Sequence, residues 1–217
     1  MPLARENLLS AIEAVRESGK RVNFVQSIEL AIVLRGIDPK KTEDRVRLDV
    51  ELPHGIVGRE RRVCVFADGE FASRAKQAGA DRVIGREEIT AMAADKKAVK
   101  TLAGQYDFFL AEGSLMPEIA KSMGRFLGPR DKMPRPVSPS EPLERVIASQ
   151  RRTVRVRTKD QPVIRCVIGT EKMSGEDISD NVLFVLEKVI EKLRRRENNV
   201  RGVYLKKTMG KAIRVAL

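Results

Sequence analysis

The chain has 217 residues, 42% of them hydrophobic and 33% charged, enough to bury a core in one or two domains and too apolar for a disordered chain. Of its net charge of +12, +9 falls in residues 151–217, where 17 Lys+Arg face 8 Asp+Glu, an asymmetry that points to a polyanion, nucleic acid first. No apolar run approaches the ~20 residues that span a bilayer, no basic helix carries an aromatic membrane face, and residues 1–6 lack a signal-peptide core, so a soluble cytoplasmic protein is expected.

Residues 3–18 read as a helix, with Leu8, Ile12 and Val15 on one stripe and Gly19 placed to stop it. A strand is expected over 22–34, where Ile28, Leu30, Ile32 and Leu34 share a face. A basic turn follows at 36–41, and 46–52 alternates as a half-buried strand. Pro53-His54-Gly55 ends that strand, and 58–62 reads as a hinge.

After residue 62 the pattern changes. Short apolar strands at 63–66, 82–84 and 108–111 alternate with helices at 70–78 and 87–102 and one opening at Leu115. Continuous apolar runs between helices argue for a small parallel sheet covered on both faces. The helix after Leu115 places Ile119, Met123 and Phe126 on one stripe and breaks at Gly128-Pro129. The following loop is shaped by prolines and exposes Arg125, Arg130, Lys132 and Arg135 beside Met133.

Half-exposed alternation returns with a helix at 142–149, strands at 153–158 and 163–168 joined by Lys159-Asp160-Gln161-Pro162, a helix at 178–196, and strands at 203–205 and 212–215. Residues 1–59 hold too few strands for a stable sheet, and the last residues supply matching ones. The expected fold class is therefore α/β with two domains. Residues 1–59 and 153–217 form a split α/β sandwich, and residues 60–152 form an inserted Rossmann-like three-layer domain.

Catalytic chemistry finds little support. A dinucleotide site needs glycines after the first strand, whereas this position reads Ala67-Asp68-Gly69-Glu70, and no P-loop is present. Gly124 and Gly128 are spaced for helix packing. Asp68, Asp107 and Glu112 lie near strand ends, where a magnesium ion is conceivable but capping and solvated-charge roles are commoner. His54 is the single histidine and has no evident acid or nucleophile partner. Cys64 and Cys166 sit in apolar strands as expected buried free thiols, since a zinc site needs paired spacings and histidines. No cofactor and no metal are expected.

Binding is better served. Phe24, Ser27 and Glu29 open a strand with an aromatic, a hydroxyl and a carboxylate. Residues 206–211 form a compact basic turn, in which Lys206 attracts phosphate, Thr208 can bond ribose or base, and Gly210 admits close backbone approach. Core packing for Phe24 and a plain hairpin for 208–210 are the alternatives.

Residues 127–134 resemble the Leu-Gly-Pro-Arg-Gly-x-Met-Pro signature of the ribosomal L-one protein family. The Phe-x-x-Thr/Ser-x-Glu start at Phe24, Ser27 and Glu29, the block from Leu34 to Pro39, Leu52-Pro53-His54-Gly55, and Thr208-Met209-Gly210 are similar to that family's other motifs, in family order over nearly the whole chain. The sequence around 45–51 is similar to archaeal members. Asp131 replaces a glycine, which aspartate tolerates in a left-handed turn; Arg135 replaces a small polar residue, and 159–162 lacks the family's Asp-Lys-Thr-Gly order.

The resemblance implies a two-domain hinged protein, not an enzyme. Its RNA contacts would be Phe24, Ser27, Glu29, Lys159, Lys206, Thr208, Met209 and Gly210, with Arg125, Arg130 and Lys132 as a secondary basic loop. It also implies a ribosome-bound protein, monomeric off the ribosome, that binds large-subunit rRNA to form the mobile stalk near the exit-site tRNA and represses translation of its own mRNA. The alternatives are an enzyme with a degenerate nucleotide site and a non-specific polyanion binder.

Overall fold

A computed structural model describes residues 4–19, 22–58 and 61–216. The chain separates into two compact units, Met1–Arg59 with Arg152–Leu217, and Glu60–Arg151.

The first unit is organised by β1 (Ser27–Leu34), one of the two inner strands of an antiparallel sheet in the order β10-β9-β1-β8, where β8 is Val163–Thr170, β9 is Val200–Lys207 and β10 is Ile213–Val215. Its period-two pattern puts Ile28, Leu30, Ile32 and Leu34 into the core. There they meet Leu8, Ile12 and Val15 of helix α1 (Arg5–Glu17) and Ile178, Val182, Val185 and Val189 of helix α8 (Gly175–Lys192). A second, two-stranded sheet of β2 (Arg47–Glu51) and β7 (Thr153–Arg157) adds Val50, Val154 and Val156 to the same core. The opposite face of the larger sheet presents Glu29, Arg165, Tyr204, Lys206 and Arg214, all half-buried or exposed.

Of the boundaries that differ from the sequence reading, three have an evident tertiary reason. The strand expected from residue 22 begins at Ser27, because the Gln26 backbone amide donates to the Glu171 carboxylate (3.1 Å) instead of to a ladder. The last long helix starts earlier, at Gly175, since the Ser174 hydroxyl accepts from the Asp177 amide (3.0 Å). It stops at Lys192 rather than Arg196: Leu193 turns extended, and the Asn199 side chain accepts from the Arg195 amide and donates to the Arg35 carbonyl.

The second unit is a parallel sheet in the order β4-β3-β5-β6, with β3 Val63–Phe66, β4 Arg82–Ile84, β5 Phe108–Glu112 and β6 Arg135–Val137. Alternation within β3 explains its two faces. Val63 and Val65 pack with helices α2 (Gly69–Gln77) and α7 (Leu143–Arg152), through Phe71, Ala75, Leu143 and Ile147. Cys64 and Phe66 pack on the other side, against α3 (Arg86–Ala94), α4 (Lys96–Gln105) and the segment after β5, through Ile89, Val99, Leu102, Ile119 and Met123. The result is a three-layer α/β arrangement.

The signature segment is more regular than a loop. Helix α5 (Met116–Ser122) yields at Met123 to a short α6 (Gly124–Leu127), then to a 3-10 turn at Gly128–Arg130. Asp131 is left-handed (φ 56°, ψ 32°), a conformation its short side chain accepts. Strand β6 was hidden by Pro134 and Pro136, which suit an edge strand that lacks one set of ladder donors.

Cys64 and Cys166 are both buried, and neither is in a disulfide. Burial pushes the Cys64 thiol up to about 12, so the folded protein keeps a proton that the unfolded chain releases from about pH 8.5 upward. The stabilisation from that retained proton is complete below the unfolded value and is lost as pH rises through it towards 12. Cys64 is therefore expected to resist an aromatic disulfide reagent at pH 8 in the folded protein and to react once urea unfolds it. Modification of folded protein at the rate of a free thiol would contradict this burial.

Candidate nucleic-acid interface

Because β1 is antiparallel to β8 and β9, the start of β1 and the ends of its two neighbours lie at one end of the sheet. There the ladder gives way to side-chain bonds. The Thr208 hydroxyl accepts from the Ser27 amide (3.2 Å) and the Thr208 amide donates to the Ser27 carbonyl (3.1 Å). The Met209 amide donates to Oε1 of Gln26 (3.1 Å), and the Gly210 amide donates to the Lys207 carbonyl (3.0 Å). The turn 208–210 is thus pinned to β1 by two successive residues.

Its second support is the end of α1. A Cβ on Gly210 would lie 3.0 Å from the Ser18 hydroxyl and 3.2 Å from Cβ of Lys207, and a Cβ on Gly19 would lie 3.2 Å from the Gly210 Cα. Gly19 also has φ +104°, where side chains are strained. Lys207 points inward, 6% exposed, and its ammonium donates to the Arg16 carbonyl (2.6 Å). It holds the helix end rather than facing an anion, unlike the neighbouring Lys206 on the open face.

On this frame three large apolar side chains stand in solvent: Phe24 at 52%, Val57 at 58% and Met209 at 62% exposure. Val57 belongs here because its carbonyl accepts from the Thr170 hydroxyl (2.6 Å), and Thr170 pairs with Ser27. Lys206 lies opposite Glu29 across the β1–β9 pair, exposed Lys211 follows the turn, and exposed Lys172 lies beside Gly58, next to Val57. Apolar side chains can stack on bases, lysines attract phosphate, and the Glu29 carboxylate can accept from base amino groups or a ribose hydroxyl.

Phe24, Ser27, Glu29, Lys206, Thr208, Met209 and Gly210 are therefore brought together, while Lys159 is not. It follows β7 and precedes β8, at the end of the sheet where Val33 pairs with Val163. The seven steps of β8 from Val163 to Thr170 span about 23 Å, and Lys159 lies beyond the Val163 end. It lines a cleft with Arg157, Asp160, Gln161 and Arg165 instead. Ser27 is only 8% exposed, which makes it a backbone anchor for Thr208 more than a contact surface.

In the second unit Arg125 and Arg130 are exposed, and Arg130 donates to the Lys100 carbonyl (3.1 Å). Lys132 departs from the expected free cation: half-buried, its ammonium donates to the carbonyls of Ala103 (2.9 Å) and Tyr106 (2.7 Å) at the end of α4. The three strand-end carboxylates do not converge. Asp68 accepts from the Gly69 amide and Glu112 from the Ser114 hydroxyl at the C-terminal edge of the sheet, whereas Asp107 accepts from the Arg62 amide at the opposite edge. His54 does have acidic partners: its ring nitrogens lie 3.4 Å from Asp177 and 3.4 Å from Asp180 on α8.

Sequence reasoning missed Gln26, Glu171, Arg165, Tyr204 and Arg214. The last three carried a signal, the outward positions of alternating strands. Gln26 and Glu171 did not, since their roles arise between segments 145 residues apart.

Fold and surface define a two-unit α/β protein that presents apolar and basic side chains on a rigidly pinned backbone turn. The chain belongs to the ribosomal protein L1p/L10e family, whose match covers residues 13–211. It is 43% identical over 99% of its length to large ribosomal subunit protein uL1 of Pyrococcus horikoshii, covering 98% of that protein. It is also 43% identical to the uL1 protein of Archaeoglobus fulgidus (99% of this chain, 100% of the relative) and 44% to that of Pyrobaculum calidifontis (97% and 94%).

Adding one methyl tests the pinned turn. Gly210→Ala is expected to lower the unfolding free energy in urea by about 1–3 kcal/mol. Gly104→Ala, in α4 with nothing within 4 Å, is expected to raise stability by about 0.5–1 kcal/mol. A neutral Gly210→Ala would show that the turn is not packed as described.

Proposed function

We propose that this protein is a constituent of the large ribosomal subunit that binds folded large-subunit rRNA through the end of its first unit, without catalysis. The observation that carries the reading is the turn 208–210, hydrogen-bonded to Ser27 and Gln26 while Met209 and Phe24 remain more than half exposed. Apolar side chains held in water on a fixed frame are costly for a monomer and useful for a ligand with flat, stackable faces. The lysines around them supply the sequence-independent attraction.

The open face of the sheet, with Tyr204, Lys206, Arg165 and Arg214, leads from this end towards Lys159. In this reading an RNA lying along it touches Lys159 as a second, separate contact. Arg125 and Arg130 of the second unit supply lighter contacts. Family membership supports the finer roles: a place in the mobile stalk beside the exit-site tRNA, help in releasing deacylated tRNA, and repression of the protein's own mRNA. The ribosome in the cytoplasm is the corresponding location, and the free protein is a monomer.

A gel-shift titration at two salt concentrations tests this, comparing the stalk rRNA fragment with a scrambled RNA of equal length. Wild type is expected to prefer the folded fragment by orders of magnitude. Thr208→Ala with Met209→Ala is expected to erode that preference while weak scrambled binding persists. Equal binding of both RNAs, fading together as salt rises, would leave only a basic surface.

A further inference from the structure

At this end Gln26 has a side chain that is deeply placed and incompletely used. It is 3% exposed, and its backbone is fully engaged: the amide donates to the Glu171 carboxylate and the carbonyl accepts from the Glu171 amide (3.1 Å each). Its carboxamide oxygen accepts from the Met209 amide. That bond fixes the orientation of the group, because only the oxygen can serve an N–H donor. The NH2 is therefore committed to another direction, and among the described residues it meets no acceptor.

An interior NH2 without an acceptor is expensive, and the nitrogen is not among the fully occluded atoms without a partner. It keeps a narrow opening to solvent, two residues from exposed Phe24 and against the backbone of exposed Met209. Such a group is pre-oriented and has little rotamer freedom left to lose on binding.

We propose that the Gln26 carboxamide is an RNA-contact group: its oxygen holds the Met209 turn and its NH2 donates to an acceptor of the bound RNA, a base-edge or ribose oxygen presented beside Phe24 and Met209. This rests on the RNA-binding reading above and assigns to that surface a donor for structured RNA. A phosphate oxygen alone is disfavoured, because a neutral amide adds little to attraction that the lysines already provide, whereas a single oriented donor discriminates among RNA shapes.

Two substitutions separate the donor from the positioning role. Gln26→Glu keeps an oxygen for the Met209 amide and removes the NH2; Gln26→Met removes both. Affinities for the stalk rRNA fragment and the scrambled RNA are measured alongside amide exchange at Met209 in the free protein. Gln26→Glu is expected to keep Met209 protected and to lose about tenfold of the preference for folded RNA. The long-range part of the repulsion from the added charge acts on both RNAs and cancels in the ratio, and the uncharged Gln26→Met variant controls for the short-range part. Gln26→Met is expected to lose Met209 protection and at least as much preference. A Gln26→Glu protein with Met209 protected and its preference within twofold of wild type would overturn the proposal and leave Gln26 an internal brace. If Thr208→Ala with Met209→Ala also left the preference intact, the RNA-binding reading itself would have failed.

Discussion

The first unit depends on what happens where β1 begins. An inner strand must satisfy its backbone on both sides, and β1 does so along its length against β8 and β9. At Ser27 the strand partners run out, and side chains from distant segments take over: the Thr208 hydroxyl, the Gln26 carboxamide and the Glu171 carboxylate. These bonds satisfy a strand end that water would otherwise compete for, and they fix the 208–210 turn in place. The exposed surface at this end is a by-product of how the sheet is closed.

That closure is supported from beneath. Ile28, Leu30 and Ile32 are fully buried against α1 and α8, so β1 cannot slip by one residue without turning its whole apolar face to solvent. Lys207 adds a lock between β9 and the end of α1, and the close approach of Gly19 to Gly210 excludes side chains from the joint. In the proposed reading this rigidity aids recognition, because a ligand that meets a preformed turn spares the cost of ordering it.

Much of this architecture was legible in the residues. The alternation of 28–34 and 46–52, the apolar runs at 63–66 and 108–111, and the basic excess after residue 151 follow directly from burial periodicity and charge. The features that were not legible depend on partners far away in sequence. Gln26 ends a ladder only because Glu171 and Met209 reach it. Lys132 and Lys207 look like surface cations until carbonyls of other elements are placed beside them. Lys159 is adjacent to a strand by sequence but lies at the opposite end of the sheet from Thr208, and β6 is concealed by prolines that an edge strand tolerates. The convergence of Phe24 with Met209 was indicated by family resemblance, not by spacing, since no local pattern joins residues so far apart.

Hydrogen exchange of the full-length protein, with and without the stalk rRNA fragment, addresses the central claim most directly. The account predicts that RNA slows exchange chiefly in 22–29, 170–173 and 204–211, the segments that meet at the start of β1, with smaller effects around 157–165. Protection concentrated in 124–137, or absent from 204–211 while RNA is bound, would place the interface elsewhere and contradict the role assigned to the pinned turn.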